Sequence, residues 1–135
     1  MPRLPRRVAK SGFYHVVLYA NGRQNLFEDD ADRLAFLDMF VAAARNHGAS
    51  ILAWCLMANH VHLLLEDPGD CLSELMRSLA TRYAQRFNRR GGHVGHVFQG
   101  RFYSSPVEGE SYLLEAMRYI HNNPAKAGVC AAEDY

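Results

Sequence analysis

The segment Trp54–Leu65, WCLMANHVHLLL, decides the fold, because it predicts a β-hairpin around which the rest of the chain can be placed. Two apolar runs rich in strand-forming residues flank the corner Ala58-Asn59, which is short enough for a tight turn. Residues i and i+2 of a strand point to the same face, so His60 and His62 would stand side by side while Val61 faces the other way. Two imidazoles placed in this way can chelate one metal ion.

Length and composition bound the class of protein. A chain of 135 residues, 49% hydrophobic and 21% charged, is expected to form one soluble domain spanning residues 1–135. The basic N-terminus is followed by no apolar run, and no apolar stretch is long enough to cross a bilayer. The expected location is therefore the cytoplasm, with no membrane partner. The three cysteines form no CxxC pair and are expected to be reduced thiols: Cys55, Cys71 and Cys130.

The order of the predicted elements is β-α-β-β-α-β, followed by one more helix. Residues 1–12 are expected to be a basic arm and residues 125–135 a short, weakly patterned tail. Composition and periodicity predict a strand at 13–20, a helix from Asp29 or Asp30 to His47, strands at 50–57 and 60–66, a helix with an apolar stripe from Leu72 to Phe87, a strand at 101–107 and a last helix within 109–124. This order predicts an α+β fold, the ferredoxin-like sandwich, in which one antiparallel sheet carries two helices on one face.

The basic residues are concentrated in two parts of a chain whose formal net charge is only +1. Residues 1–27 hold five basic residues and no acid, and residues 73–103 hold six arginines and one glutamate. Arginine suits bidentate phosphate recognition and stacking on bases. We therefore expect a local surface for a polyanion, although the arginines of the second helix could also form an ordinary solvated face. The candidate contacts are Arg23, Arg77, Arg82, Arg86, Arg89 and Arg101.

On the last predicted helix, Tyr119 and Asn123 lie one turn apart on the same side. If this helix crosses the sheet face that carries the two histidines, Asn123 could supply a third metal ligand and Tyr119 could project its phenol toward the same ion. A phenolate is a competent nucleophile on phosphorus, and the resulting tyrosyl phosphate ester would conserve the energy needed to rejoin a strand. The plainer interpretations are a packed helix tyrosine and an asparagine that caps the helix before Pro124.

The motif His60-Val61-His62 resembles the HUH motif of single-tyrosine transposases, and several other segments resemble the REP-associated tyrosine transposases. Those segments are Tyr14–Val16, Asn21–Gln24, Met57–Leu63, Tyr83–Asn88, Gly95–Phe102 and Arg118–Gly128. The resemblance implies a ferredoxin-like palm with Mg²⁺ or Mn²⁺ that cuts and rejoins single-stranded DNA, often near an imperfect hairpin, through a 5′-phosphotyrosine intermediate. Carried over by position, Tyr119 is the nucleophile, His60 and His62 are metal ligands, and Asn123 occupies the third ligand position.

Three functional hypotheses follow from these patterns. The first is a metal-dependent transposase that cleaves and transfers single-stranded or hairpin DNA. The second is a non-catalytic ferredoxin-like module that binds hairpins through its arginines. The third is a metal-dependent phosphodiesterase in which water attacks instead of Tyr119. Because the family that the chain resembles includes monomers and dimers, a homodimer is an open expectation, in which either chain could supply the tyrosine.

Overall fold

The computed structural model describes residues 12–92, 95–108, 115, 118 and 129–132. Its elements are β1 (Phe13–Tyr19), a 3₁₀ turn (Asn21–Arg23), α1 (Asp30–Asn46), β2 (Ser50–Leu56), β3 (His60–Glu66), α2 (Leu72–Gly91), β4 (Tyr103–Pro106) and β5 (Val129–Ala132). The strands form one five-stranded sheet in the order β4-β1-β3-β2-β5, with antiparallel neighbours throughout. No helix within the described ranges is long and apolar enough to cross a lipid bilayer.

The predicted ferredoxin-like α+β fold is confirmed. Strands β1 to β4 have the order and directions that this fold requires, and α1 and α2 pack on one face of the sheet. Strand β4 spans Tyr103–Pro106 and is therefore shorter than the predicted strand 101–107. Strand β5 is a correction to the sequence analysis, since part of the weakly patterned tail pairs with β2 at the sheet edge. The predicted helix 109–124 lies outside the described residues, except that Glu115 and Arg118 are helical.

The main hydrophobic core lies between the sheet and the two helices. Val61, Leu63 and Leu65 of β3 are fully buried there, as period-two alternation predicts. Tyr83 of α2 is also buried, and its hydroxyl donates a hydrogen bond of 2.5 Å to the carbonyl oxygen of Leu26. Burial raises the pKa of Tyr83 well above its ordinary value, so this hydroxyl remains a neutral donor.

Four carboxylate and guanidinium groups join the start of α1 to the end of α2. The Asp29 side chain caps α1 by accepting a hydrogen bond of 3.0 Å from the backbone N–H of Asp32. Arg86 and Arg90 both bind the Asp32 carboxylate. Burial alone would raise the pKa of Asp32, but hydrogen bonds from Arg86 and the Glu28 backbone, with the charges of the two arginines, hold that pKa below its ordinary value.

The opposite face of the sheet carries the histidines and a smaller apolar cluster. Its buried members are Ala53, Cys55, Leu64 and Val107. In the register of β2 and β5, Cys55 lies directly opposite Cys130. Cys55 is disulfide-bonded whereas Cys71 is free, so the expectation of reduced thiols is wrong for Cys55.

Candidate metal centre and nucleic-acid interface

His60 and His62 stand side by side on β3, on the face turned away from the helices. Their ring centres are 5.0 Å apart and the rings are nearly perpendicular, at 77°. His60 is half-buried, and only 6% of His62 is exposed. Strand alternation therefore brings the two predicted ligands together without help from any distant part of the chain.

His60 is oriented by its neighbours at the hairpin corner and on β1. Its Nδ1–H donates to the Oδ1 atom of Asn59 at 2.8 Å, which leaves the Nε2 lone pair available. The ring of Tyr19 stacks on the imidazole with 5.3 Å between centres, and burial lowers the pKa of His60. At neutral pH His60 is therefore an uncharged imidazole, which is the form that binds metal.

His62 contacts a third histidine, His15 of β1. The His15 Nε2 and His62 Nδ1 atoms are 3.0 Å apart, and the rings lie edge to edge, 23° from parallel, with 5.2 Å between centres. Burial, together with the charges of His15 and His60, lowers the pKa of His62 to about 4, and burial also lowers the pKa of His15. This face of the sheet therefore holds three neutral imidazoles at pH 7.

His15 is the site residue that the sequence analysis missed. In the β1–β3 register Val17 lies opposite His62, so His15 reaches His62 along the diagonal. Alternation along β1 puts His15 and Tyr19 on one face, and that much is readable from the sequence. The pairing register of β1 with β3, which places His15 beside His62, is a long-range property that no local sequence pattern reveals.

The candidate arginines differ in what surrounds them. Arg77, Arg82 and Arg89 of α2 are exposed, as is Arg101 before β4, and none of these forms an ion pair with another described residue. The Arg86 side chain is only 23% exposed and binds Asp32, so its predicted role in binding a polyanion now competes with a structural one. The side chain of Arg23 lies outside the described part of the structure.

Two adjoining hollows lie beside the exposed arginines. A cavity of about 480 Å³ has an apolar floor that includes Leu18, Met76 and Phe102, with Arg77 and Arg101 at its wall. A shallower groove of about 540 Å³ shares Glu74 and Arg77 with this cavity and extends along α2 past Arg82. An apolar floor flanked by unpaired guanidinium groups has the character of a surface for a base and its phosphates.

Comparison with known proteins identifies the family. The profile of the family described as "Transposase IS200 like" matches residues 9–123. The chain belongs to the IS200-like transposase family. A search of curated proteins found no match.

Solved structures show the same fold as this IS200-like transposase domain. One is a REP-associated tyrosine transposase bound to a REP hairpin, with a TM-score of 0.73 and 20% identity over 93% of this chain and 74% of that one. Another is a protein from Deinococcus radiodurans R1 assigned as a transposase, with a TM-score of 0.60 and 20% identity over 90% of this chain and 97% of that one. At this identity the likeness concerns the fold.

The residues of the IS200-like site fit a divalent cation as far as the structure describes them. Two imidazole nitrogens bound to one ion at about 2.1 Å hold their ring centres roughly 4.5 to 5.3 Å apart, and His60 and His62 fall in that range at 5.0 Å. Within the described ranges no cluster of three or more His, Cys, Asp or Glu side chains could hold a metal. Tyr119 and Asn123 lie outside the described residues, and their roles stay predictions.

Proposed function

We propose that this IS200-like transposase cleaves single-stranded DNA and transfers the strand, with Tyr119 as nucleophile and a divalent cation held by His60, His62 and Asn123. The observation that carries the proposal is the pair of neutral imidazoles with ring centres 5.0 Å apart on one strand of a transposase-family chain. When bound, a Mg²⁺ or Mn²⁺ ion would neutralise charge on the phosphate oxygens.

The proposed reaction exchanges one phosphodiester for another. The phenol oxygen of Tyr119 forms a bond to phosphorus while the bond from phosphorus to the 3′ oxygen breaks. The phenol gives up its proton and the departing 3′ oxygen takes one up, which leaves a 5′-phosphotyrosine and a free 3′-hydroxyl. Attack by a 3′-hydroxyl on the phosphotyrosine reverses these steps and joins the strand.

The sheet topology supports a nucleophile from the segment that follows β4. Strands β4 and β5 lie at opposite edges of the five-stranded sheet, about 19 Å apart at ordinary strand spacing. The chain between Val107 and Gly128 therefore starts at one edge and finishes at the other. The helices α1 and α2 cover one face of the sheet, so a crossing over the other face would bring Tyr119 near His60 and His62.

The proposed substrate is single-stranded or hairpin DNA. The exposed guanidinium groups of Arg77, Arg82 and Arg101 beside the two hollows support backbone contacts. The hairpin bound by the structurally similar REP-associated transposase supports a hairpin as the first substrate to test. The homodimer stays a prediction.

The proposal predicts a covalent adduct that depends on Tyr119. A hairpin with single-stranded flanks, labelled at its 5′ end or its 3′ end, is incubated with the protein and Mn²⁺ and resolved by denaturing electrophoresis. We expect the protein to become attached to the 3′-side fragment only, and Tyr119→Phe to abolish the adduct. His60→Ala is expected to lower cleavage at least 100-fold while retaining most of the DNA affinity, because phosphate contacts dominate binding.

The matched control is Tyr103→Phe. Tyr103 is 62% exposed and its ring lies 5.8 Å from that of Tyr19, so it is a solvent-accessible phenol on the histidine face that, unlike Tyr19, does not stack on His60. An adduct lost in Tyr103→Phe and kept in Tyr119→Phe would refute the assignment of the nucleophile. Cleavage without an adduct would point instead to attack by water, and binding without cleavage to a non-catalytic hairpin-binding module.

A further inference from the structure

His15 touches the proposed metal site but has no part in the proposed reaction. We propose that His15 is a positioning residue that holds His62 in the tautomer with hydrogen on Nδ1, so that the Nε2 lone pair is kept for the cation. This inference rests on the proposed function, because it takes His60 and His62 as the metal-binding pair.

The contact between the two rings decides which nitrogen of His62 carries hydrogen. The 3.0 Å contact between His15 Nε2 and His62 Nδ1 can hold one hydrogen, which belongs to one ring or the other. If His15 donated it, neutral His62 would carry its own hydrogen on Nε2, and neither of its nitrogens could bind a cation. If His62 donates it, Nδ1 is used by His15 and Nε2 is left with a lone pair. Only the second arrangement makes His62 a ligand.

His60 already has the hydrogen-bonding arrangement that is inferred for His62. The Nδ1–H of His60 donates to the Oδ1 atom of Asn59, an atom that can only accept, so its tautomer is fixed with the lone pair on Nε2. With His15 as the acceptor for His62, each ligand has an acceptor at Nδ1 and a lone pair at Nε2. A hydrogen bond from the second ring nitrogen is the usual way in which a protein fixes the tautomer and orientation of a metal-binding histidine.

The backbone that carries His15 is held firmly in the sheet. His15 lies in β1, which pairs with β3 on one side and with β4 on the other, and its neighbours Tyr14 and Val16 are buried in the main core. The His15 ring lies 23° from parallel to the His62 ring, which suits an in-plane hydrogen bond between them. Rotation of the His62 ring about its side-chain bonds would break this hydrogen bond, so His15 sets orientation as well as tautomer.

The experiment compares two variants of His15 in the full chain. His15→Gln offers an amide oxygen near the position of Nε2, whereas His15→Leu offers similar volume and no acceptor. Isothermal titration with Mn²⁺ should give near-wild-type affinity for His15→Gln and a dissociation constant 10- to 100-fold higher for His15→Leu. The matched control is His47→Leu, which removes a part-buried histidine whose Nδ1 contacts the Ala43 carbonyl oxygen and which should leave Mn²⁺ affinity unchanged.

A spectroscopic reading tests the tautomer without metal or DNA. Long-range ¹H–¹⁵N correlation spectra of the metal-free wild type should show His62 with hydrogen on Nδ1, and His15→Leu should lose this single-tautomer pattern. Hydrogen on Nε2 of His62 in the wild type would overturn the inference. So would His15→Leu binding Mn²⁺ within twofold of wild type, or His15→Gln binding as weakly as His15→Leu while unfolding at the wild-type temperature.

The outcomes separate this inference from the proposed function. If the tautomer and the Mn²⁺ affinities are as expected but Tyr119→Phe still forms the DNA adduct, the proposed nucleophile fails and the role of His15 stands. If the wild type binds no Mn²⁺, the metal site and the role of His15 fail together. If the adduct depends on Tyr119 but His15→Leu binds Mn²⁺ normally, only the role of His15 is lost.

Discussion

The ionisation of His62 is coupled to folding, because its imidazole is buried between His15 and His60. In the folded chain its pKa is lowered from 6.5 to about 4. Between these values the unfolded chain binds the proton more readily than the folded chain does. The stability that the neutral ring supports is therefore complete above pH 6.5 and is lost as the pH falls toward 4. His15 and His60, whose pKa values are also lowered, act in the same direction.

We expect the free energy of unfolding of the metal-free chain to fall by about 1 to 2 kcal/mol between pH 7.5 and pH 5 on account of His62. Urea unfolding at the two pH values measures this change. His62→Gln should show a smaller pH dependence, because it removes the titrating ring. Asp32, whose pKa is lowered from 3.8, titrates below this window and does not mask the effect. Equal pH dependence in the wild type and in His62→Gln would contradict the expectation.

Residue-scale features were predictable where the pattern is local. The shared face of His60 and His62 follows from the two-residue period of a strand. The partner of Arg86 could not be predicted from a local pattern, because Asp32 is 54 positions away and reaches α2 only when the helices pack. The contact between His15 and His62, which are 47 positions apart, could not be predicted for the same reason. Sequence reasoning therefore found the two proposed ligands, which neighbour each other, and missed the histidine that contacts one of them.

At the scale of elements, the cluster around Asp32 is expected to fix α1 against α2. The Asp32 side chain is 8% exposed and binds both Arg86 and Arg90. Asp32→Asn should lower the free energy of unfolding by about 1 to 3 kcal/mol, because it leaves Arg86 without a carboxylate partner and leaves Arg90 with Asp29 alone. Urea unfolding measures the loss.

The control for this element-scale prediction is Asp30→Asn. Asp30 pairs with Arg33 at 2.7 Å within the same helix turn, and its side chain is 89% exposed. An exposed pair of this kind contributes roughly 0 to 1 kcal/mol, so the variant should unfold nearly as the wild type does. Similar losses in the two aspartate variants would mean that the carboxylate of Asp32 has no special role between the helices.

Strand β5 is the strand that could not be predicted from its own sequence. Its sequence, Val129–Ala132, consists of a valine, a cysteine and two alanines, with no alternation of polar and apolar positions. Nothing local distinguishes such a segment from a loop, and its strand structure comes from pairing with β2. The first four strands were predicted because aromatic, β-branched or alternating residues mark most of them.

For the whole molecule, charge distribution matters more than net charge, which is only +1. The arginines beside the two hollows form a local cationic surface on an otherwise balanced chain. If these side chains bind phosphates, each contact releases a counterion, so the affinity for single-stranded DNA falls steeply with salt.

We expect Arg77→Gln combined with Arg101→Gln to reduce the slope of log affinity against log salt by about 1.4, which corresponds to two phosphate contacts on single-stranded DNA. Fluorescence anisotropy with a labelled hairpin at several salt concentrations gives the slope. Arg33→Gln is the control, because Arg33 is already paired with Asp30 on α1. An unchanged slope in the double variant would remove these two arginines from the DNA surface.

The contacts of the hairpin corner Ala58-Asn59 determine whether the histidine motif could be grafted onto another protein. The Asn59 carbonyl oxygen accepts from Ala20 N–H at 2.8 Å, the Ala58 carbonyl oxygen accepts from Leu26 N–H at 2.7 Å, and the Asn59 side chain orients His60. Two backbone hydrogen bonds thus hold the corner against the segment that follows β1. A His-x-His triplet grafted onto another hairpin would carry the sequence of this motif without its geometry. The smallest transferable unit is the hairpin with β1 and the turn that follows it.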